Sequence, residues 1–367
     1  MKLWDMSPAT RLQRAFRRAG ITNIIAESDL GENTGPVILV RGDAVLDEPL
    51  STHLVANENL MILSNGTEDS VPIVAHVSAD NSIKTAEAIK GEIKKELPGV
   101  KIQSPGDLDA NYWKALRKRE TPYAMVITNE NLSDVLWRIF MGTYKGATDF
   151  ITKHLWPRPA YHITRTIAPY GITPNIVTTL SAVMVLLAFY LFMQGNFGWG
   201  LAAAWMMTFL DTVDGKLARV TLTSSPWGNV FDHSIDLIHP PFWYWAWAAG
   251  LGVAGTDLSA NTLYWLLAVI IGGYVLQRII EGIAITAFGI EIHIWRPVDT
   301  FFRQITARRN PNLAILTVAM IFGRPDYGLY AVAVWTALCL ALHSLQIIQA
   351  WQAKRKTGPL SSWLTRP

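Results

Sequence analysis

"FLDTVDGKLARVTLTSSPWGNVFDHSID", residues 209–236, sets four aspartates and an arginine between two long apolar runs. A chain that buries its apolar runs in a bilayer does not place that much charge beside them without a use for it. Working outward from this stretch, hydropathy marks six candidate spans, at about 174–194, 197–213, 230–252, 262–285, 311–323 and 328–350. A hydrocarbon core of ~30 Å asks for ~20 helical residues, so the second and fifth are expected to continue as polar-ended helix on one side. Lys216, Arg219, Arg303, Arg308, Arg309, Lys354, Arg355 and Lys356 fall on a single side, whereas the opposite loops "QGNFGWG" and "GVAGTDLSAN" hold no Lys or Arg and "GRPD" holds one Arg. The positive-inside rule then puts both termini and the aspartate stretch in the cytosol. "FWYWAW" reads as an interfacial aromatic belt, and Pro240 and Pro241 are expected to kink the third span.

Composition agrees with two regimes in one chain. Of 367 residues, 50% are hydrophobic and 17% charged, with 15 Trp, and the mean hydropathy is +0.20, too greasy for an average soluble protein and too charged for a purely membranous one. The single cysteine, Cys339, excludes an internal disulfide and fits a reducing, cytosol-facing protein. A formal charge of +3 is too small to argue for a nucleic-acid partner. The opening "MKLWDMSPATRLQRAFRRAG" has no apolar core of a secretory signal, so the N-terminus is expected to stay in the cytosol.

Residues 1–131 have the pattern of a soluble, Rossmann-like α/β domain. Short apolar runs ("ITNIIAE", "PVILVRG", "NLMILSN", "VPIVAHV") alternate with helical stretches ("TRLQRAFRRAG", "NSIKTAEAIKGEIKKEL"), and such alternation builds a sheet with helices packed on it. Residues 132–165 mix Trp, Phe and Leu with Lys, Arg and His at helical spacing. They suit either an amphipathic helix lying on the bilayer surface or a linker helix packed on the first domain. Residues 166–356 form the all-α membrane domain of six helices.

On a helix running from Trp199 through Arg219, Asp211, Asp214, Gly215 and Ala218 share an arc of about 100°, with Arg219 at its edge. On the next helix Gly228, Asp232 and Asp236 are four apart and stack on one stripe. Four converging carboxylates repel unless cations neutralise them, and oxygen ligands favour hard divalent ions such as Mg²⁺ or Mn²⁺. Carboxylate-held metals beside an arginine and close-approach glycines suit a diphosphate. The plainer reading, solvated salt bridges at helix ends, does not account for the joint spacing.

The pattern Asp211-x-x-Asp214-Gly215-x-x-Ala218-Arg219, eight residues, then Gly228-x-x-x-Asp232-x-x-x-Asp236 resembles the CDP-alcohol phosphotransferase signature at every fixed position. "ITPNIVTTLSAV" also resembles the opening of that family's first span, so the resemblance covers roughly residues 140–355. It implies a six-helix membrane enzyme of lipid synthesis that transfers the phosphoryl-alcohol group of a CDP-linked alcohol to a second alcohol and releases CMP. By that resemblance Asp211, Asp214, Asp232 and Asp236 hold two divalent ions, and Asp236 also takes the proton of the acceptor hydroxyl. Gly215, Ala218, Arg219 and Gly228, joined by Asn175, Thr178 and Ser225, would form the cytidine diphosphate pocket. The expected donor is CDP-diacylglycerol, the expected acceptor an alcohol or polyol phosphate such as inositol phosphate, and a homodimer in the bilayer is in keeping with the family.

"SPATRLQRAFRRAGITNIIAE" and "VILVRGDAVLDEPL" resemble the interior of a sugar-phosphate nucleotidyltransferase, a domain that some inositol-phosphate relatives carry in front. The glycine-rich phosphate loop that should open such a fold is missing, since no glycine precedes Gly20, so a degenerate domain is expected. A bifunctional enzyme with an active front domain, and a non-catalytic ion-binding scaffold or transporter, are the competing readings. Arg278 and Glu281 either line an acceptor pocket or pair and snorkel. Arg308 and Arg309 either grip an acceptor phosphate or satisfy topology alone. His233 and His239 lack metal-ligand spacing and are taken as supporting or packing residues.

Overall fold

The computed structural model describes residues 1–65, 70–108, 111–256 and 258–365. It divides into two compact units, Met1–Tyr144 with Arg219–Leu222, and Lys145–Ala218 with Thr223–Pro367.

In the first unit, α1 (Pro8–Arg18) starts where the Ser7 hydroxyl accepts from the Thr10 N–H at 3.1 Å, with Pro8 in the first turn. Its Leu12, Ala15 and Phe16 are buried on one stripe. Then follow β1 (Val37–Val40), β2 (Ala44–Leu46), α2 (Glu48–Ala56), β3 (Leu60–Leu63), β4 (Pro72–Val77), α3 (Ser82–Lys90), β5 (Lys101–Gln103), β6 (Tyr112–Trp113), β7 (Lys118–Arg119), β8 (Ala124–Val126) and α4 (Leu132–Gly142). The four-stranded sheet runs β1-β4-β3-β5, and the pairs β2·β8 and β6·β7 form separate two-stranded sheets. Residues of β3 are buried on both faces, as an unbroken apolar run requires of a central strand.

The unit is mixed α/β, but not Rossmann-like as the alternation suggests. β1·β4 and β3·β4 are antiparallel and only β3·β5 is parallel; the eight residues between β3 and β4 are fewer than the dozen or so a parallel crossover needs. "ITNIIAE" forms no strand; Ile24 and Ile25 stay exposed along a cavity of about 940 Å³ bordered by β1. The helix expected over residues 81–97 ends at Lys90, because Gly91 takes a left-handed φ of 82° and donates its N–H back to Ala88.

The second unit opens with a π-helical turn (Ile151–Leu155) and α5 (Pro157–Ile167). Residues 132–165 are therefore distributed over α4, the π turn and α5 instead of one helix. Six longer elements are α6 (Pro174–Met193), α7 (Phe197–Val220), α8 (Pro226–Val253), α9 (Ala260–Phe288), α11 (Arg309–Ile321) and α12 (Pro325–Thr357), with the short α10 (Pro297–Phe302) before α11. Their core gathers Phe192, Phe197, Met207, Trp243, Trp247 and Leu329. Backbones approach closely at Gly250, where an added Cβ would stand 1.9 Å from the Phe192 carbonyl oxygen, so α6 and α8 pack at a distance only glycine permits.

By length and composition, α6, α9 and α12 can cross a membrane, with mean hydropathies of 2.3, 1.7 and 1.8 over their best windows. They expose Leu186, Tyr190, Val275, Ile283, Leu338 and Ile348, large apolar side chains that a bilayer would cover. α7 and α8 carry the four aspartates and α11 has 13 residues, which separates them from that group. α8 runs unbroken through Pro240 and Pro241.

Candidate active site

α7 and α8 each carry two of the aspartates predicted to converge, and the helical period presents them one turn apart. One carboxylate oxygen from each of Asp211, Asp214 and Asp232 lies within 4.8 Å of the other two. Ligands about 2.0–2.6 Å from a hard cation can span such separations. Asp214 is 3% exposed; its Oδ2 accepts from the Thr178 hydroxyl of α6 at 2.7 Å, and its Oδ1 is buried with no hydrogen-bond partner among the described residues. A buried carboxylate oxygen left bare is costly, so the donor set fits a divalent cation.

Asp236 lies apart from that trio. Its Oδ1 pairs with Arg309 Nη1, while Arg309 Nη2 reaches Asp211 Oδ2 at 2.5 Å. One guanidinium from the start of α11 thus bridges the two acidic helices. Arg309 is a member of the centre that motif spacing does not reveal; its signal is a cation in the first turn of a helix, where the backbone dipole disfavours positive charge.

Around the end of α8, the Ser225 hydroxyl accepts from the Gly228 N–H at 3.0 Å and caps the helix. A Cβ on Gly228 would stand 2.9 Å from Asn175 Oδ1 and 3.0 Å from Ser225 Oγ, so Asn175, Ser225 and Gly228 form one polar corner. Gly215 follows Asp214 on α7, and the Ala218 carbonyl accepts from the Thr223 N–H at 2.9 Å and the Ser224 hydroxyl at 3.3 Å. Arg219 groups with the first unit, where it lines a small pocket with Arg11, Tyr123 and Thr143. His239 is buried, its Nδ1 against the Ile235 carbonyl at 2.7 Å and its ring against Trp243, which is a packing role. His233 lies 3.8 Å from Asp232 and bonds the Asn229 carbonyl at 2.8 Å.

A second ionic cluster is built from α9, the turn at Ile292–Ile294 and the residue before α11. Glu281 accepts from Arg278 at 3.0 Å, from His293 Nε2 at 3.0 Å, and from Arg308. His343 of α12 is buried against His293, the ring centroids 5.2 Å apart. Arg278 Nε and Nη2 have no hydrogen-bond partner among the described residues, so the single carboxylate does not saturate the cations gathered here.

Long apolar helices beside two helices that share a carboxylate cluster define a membrane protein with an acid-rich candidate metal centre. The comparisons narrow it: the CDP-alcohol phosphatidyltransferase profile matches residues 171–341, and the archaetidylinositol phosphate synthase of Pyrococcus horikoshii is 30% identical over 183 residues, 48% of this chain and 84% of that protein. The chain belongs to the CDP-alcohol phosphatidyltransferase family and is a multi-pass membrane enzyme of that family. A bifunctional IPC transferase and DIPP synthase of Rubrobacter xylanophilus is 29% identical over 160 residues, 44% of this chain and 34% of that protein. A phosphatidylinositol phosphate synthase of Streptomyces avermitilis is 34% identical over 95 residues, 26% of this chain and 37% of that protein.

Proposed function

We propose that this protein transfers a phosphatidyl-type group from a CDP-linked lipid, such as CDP-diacylglycerol, to a polyol phosphate, with release of CMP at the cytosolic face of a six-helix membrane domain. Inositol phosphate is the favoured acceptor, since three relatives are named archaetidylinositol phosphate or phosphatidylinositol phosphate synthases. The observation that carries the donor chemistry is the grouping of one carboxylate oxygen each from Asp211, Asp214 and Asp232 within 4.8 Å, at a centre where Asp214 Oδ1 is buried with no hydrogen-bond partner among the described residues. The two guanidinium groups of Arg278 and Arg308 around a single Glu281 support an anionic acceptor.

Asp211, Asp214, Asp232 and Asp236 would hold two Mg²⁺ or Mn²⁺ ions, which when bound draw charge from the pyrophosphate oxygens. Asn175, Ser225 and Gly228 form a corner suited to the nucleotide, which Thr178, Gly215 and Ala218 would extend; the family resemblance assigns Arg219 to the same pocket. Asp236 takes the proton of the acceptor hydroxyl as its oxygen bonds to the phosphorus that carries the lipid alcohol. The bond from that phosphorus to the bridging oxygen breaks, and CMP leaves.

In the first unit, the cations bordering the large cavity are spent on neighbours: Arg41 forks onto Asp43 at 2.7 and 3.1 Å, and Lys90 pairs with Glu27. A triphosphate finds no uncommitted cation there, in keeping with a degenerate nucleotidyltransferase-like domain.

The test is CMP release by purified protein with Mg²⁺ or Mn²⁺, CDP-diacylglycerol and a panel of alcohols and polyol phosphates. Asp236→Asn should lower turnover at least about 100-fold while nucleotide binding persists in the presence of metal. Wild-type turnover by that variant removes Asp236 as the base, and absence of CMP release with every acceptor removes the reaction.

A further inference from the structure

We infer that Arg309 is the resident counter-cation of the carboxylate centre, holding Asp211 and Asp236 until a divalent ion displaces it and so tying metal occupancy to the availability of Asp236. This rests on the metal-centre reading above and goes beyond it, because it assigns a competitor to the ion.

The geometry supplies three reasons. First, the guanidinium takes one carboxylate from each acidic helix, Asp211 of α7 at 2.5 Å and Asp236 of α8, and its side chain is 15% exposed. A fork of that kind stands where positive charge is most needed. Second, the one guanidinium reaches two of the four aspartates, and the Asp214 Oδ1, in a residue 3% exposed, has no partner among the described residues. The centre therefore remains short of cations with Arg309 in place. Third, the backbone of α11 at this point is anchored independently of the Arg309 side chain. Asn310 donates to Asp149 Oδ1 at 2.9 Å and to Thr152 Oγ1 at 3.2 Å, and both Asn310 and Asp149 are buried. The Arg309 stem passes the flexible thioether of Met207, 3.6 Å from Nη1, a neighbour that can repack when the guanidinium swings.

The arrangement has a functional consequence. Arg309 Nη1 occupies Asp236 Oδ1, so that oxygen is closed to the ion and to the acceptor hydroxyl while the fork holds. An ion that takes Asp211 and Asp236 from the guanidinium would open it. Arg309 is in this sense a positioning residue, acting through Asp211 and Asp236.

The experiment is a Mn²⁺ titration of the full-length protein in detergent, followed by electron paramagnetic resonance without nucleotide, after removal of metals with chelator. Arg309→Gln should bind Mn²⁺ at least ~10-fold more tightly than wild type, since a like charge beside the ion is gone. Arg309→Lys keeps the charge but spans only one carboxylate, and should fall between the two. Arg308→Gln removes the same charge one residue away, from Glu281, and should stay within about twofold of wild type. Where Arg309→Gln needs Mn²⁺ to fold, chelator competition from the loaded protein gives the same affinity. Unchanged or weaker binding by Arg309→Gln, an equal shift in Arg308→Gln, or a lysine variant weaker than wild type overturns the competition. Should Arg309→Gln fold under neither condition, the lysine variant decides. Failure of the wild type to bind Mn²⁺ removes the metal centre itself; Mn²⁺ binding that ignores Arg309 removes only this inference.

Discussion

Thr178 shows how a single hydroxyl can set a charged centre. Its Oγ1 lies 2.7 Å from Asp214 Oδ2 and 3.0 Å from the Pro174 carbonyl, and it has one proton to give. The carboxylate is the stronger acceptor, so that proton fixes the orientation of Asp214 and leaves Oδ1 open to another partner. Thr178→Val keeps the volume and removes the donor. Mn²⁺ affinity should fall by about 10–100-fold, the usual effect of losing a group that orients a ligand, and the metal-free protein should lose about 1–3 kcal/mol because the buried Oδ2 loses its donor. A variant that titrates like wild type would show that Asp214 is oriented by something else. The aspartates themselves were legible because a period of 3.6 residues converts their spacing into a shared stripe. Arg309 was not, since it comes from a helix 98 residues beyond Asp211, and the adjacent Arg308 supports the same topological explanation. Only the fold separates these neighbours, sending Arg309 to the aspartates and Arg308 to Glu281.

At the scale of the element, the six helices were readable to within four residues at most ends because apolar length is a local property, while α7 and α12 run seven residues past their apolar stretches. Strand pairing was not, because β1 meets β4 and β3 meets β5 through partners distant in sequence, and an apolar run such as "ITNIIAE" carries no record of whether a neighbour will pair with it. α8 illustrates what a local rule predicts and what the surroundings add. Pro240 and Pro241 have no N–H, so the carbonyls of Asp236 and Leu237 lose their intrahelical donors. The Tyr274 hydroxyl of α9 donates to the Leu237 carbonyl at 2.9 Å and replaces one of them. Tyr274→Phe should therefore destabilise the protein by about 1 kcal/mol. In a Pro241→Ala background the helix regains its own N–H, and the same substitution should cost close to nothing. A double-mutant cycle on thermal unfolding in detergent measures this coupling; equal costs in both backgrounds would disconnect the tyrosine from the proline.

For the whole molecule, the two units answer to different ions. The carboxylate centre lies in the helical unit, so manganese should alter hydrogen exchange there. In the first unit the sensitive group is Asp47, which caps α2 by accepting from the Glu48 N–H at 3.1 Å. Burial pushes its carboxyl up to about 6, opposed by the nearby Lys118 and Arg138 and reinforced by Glu120. In the unfolded chain it titrates near ~3.9. Below that value both states hold the proton; between about 4 and 6 the unfolded chain releases it first, so stability falls as pH rises, by roughly 3 kcal/mol in total, and levels off above. With full-length protein, exchange of α2 and β8 amides, corrected for intrinsic rates, should be slower at pH 5 than at pH 7.5. Asp47→Asn, which can still cap the helix, should reduce that difference and leave the manganese response of α7 and α8 intact. Equal corrected protection at the two pH values in wild type would mean that Asp47 stays ionised throughout, held by Lys118 and Arg138 against its burial.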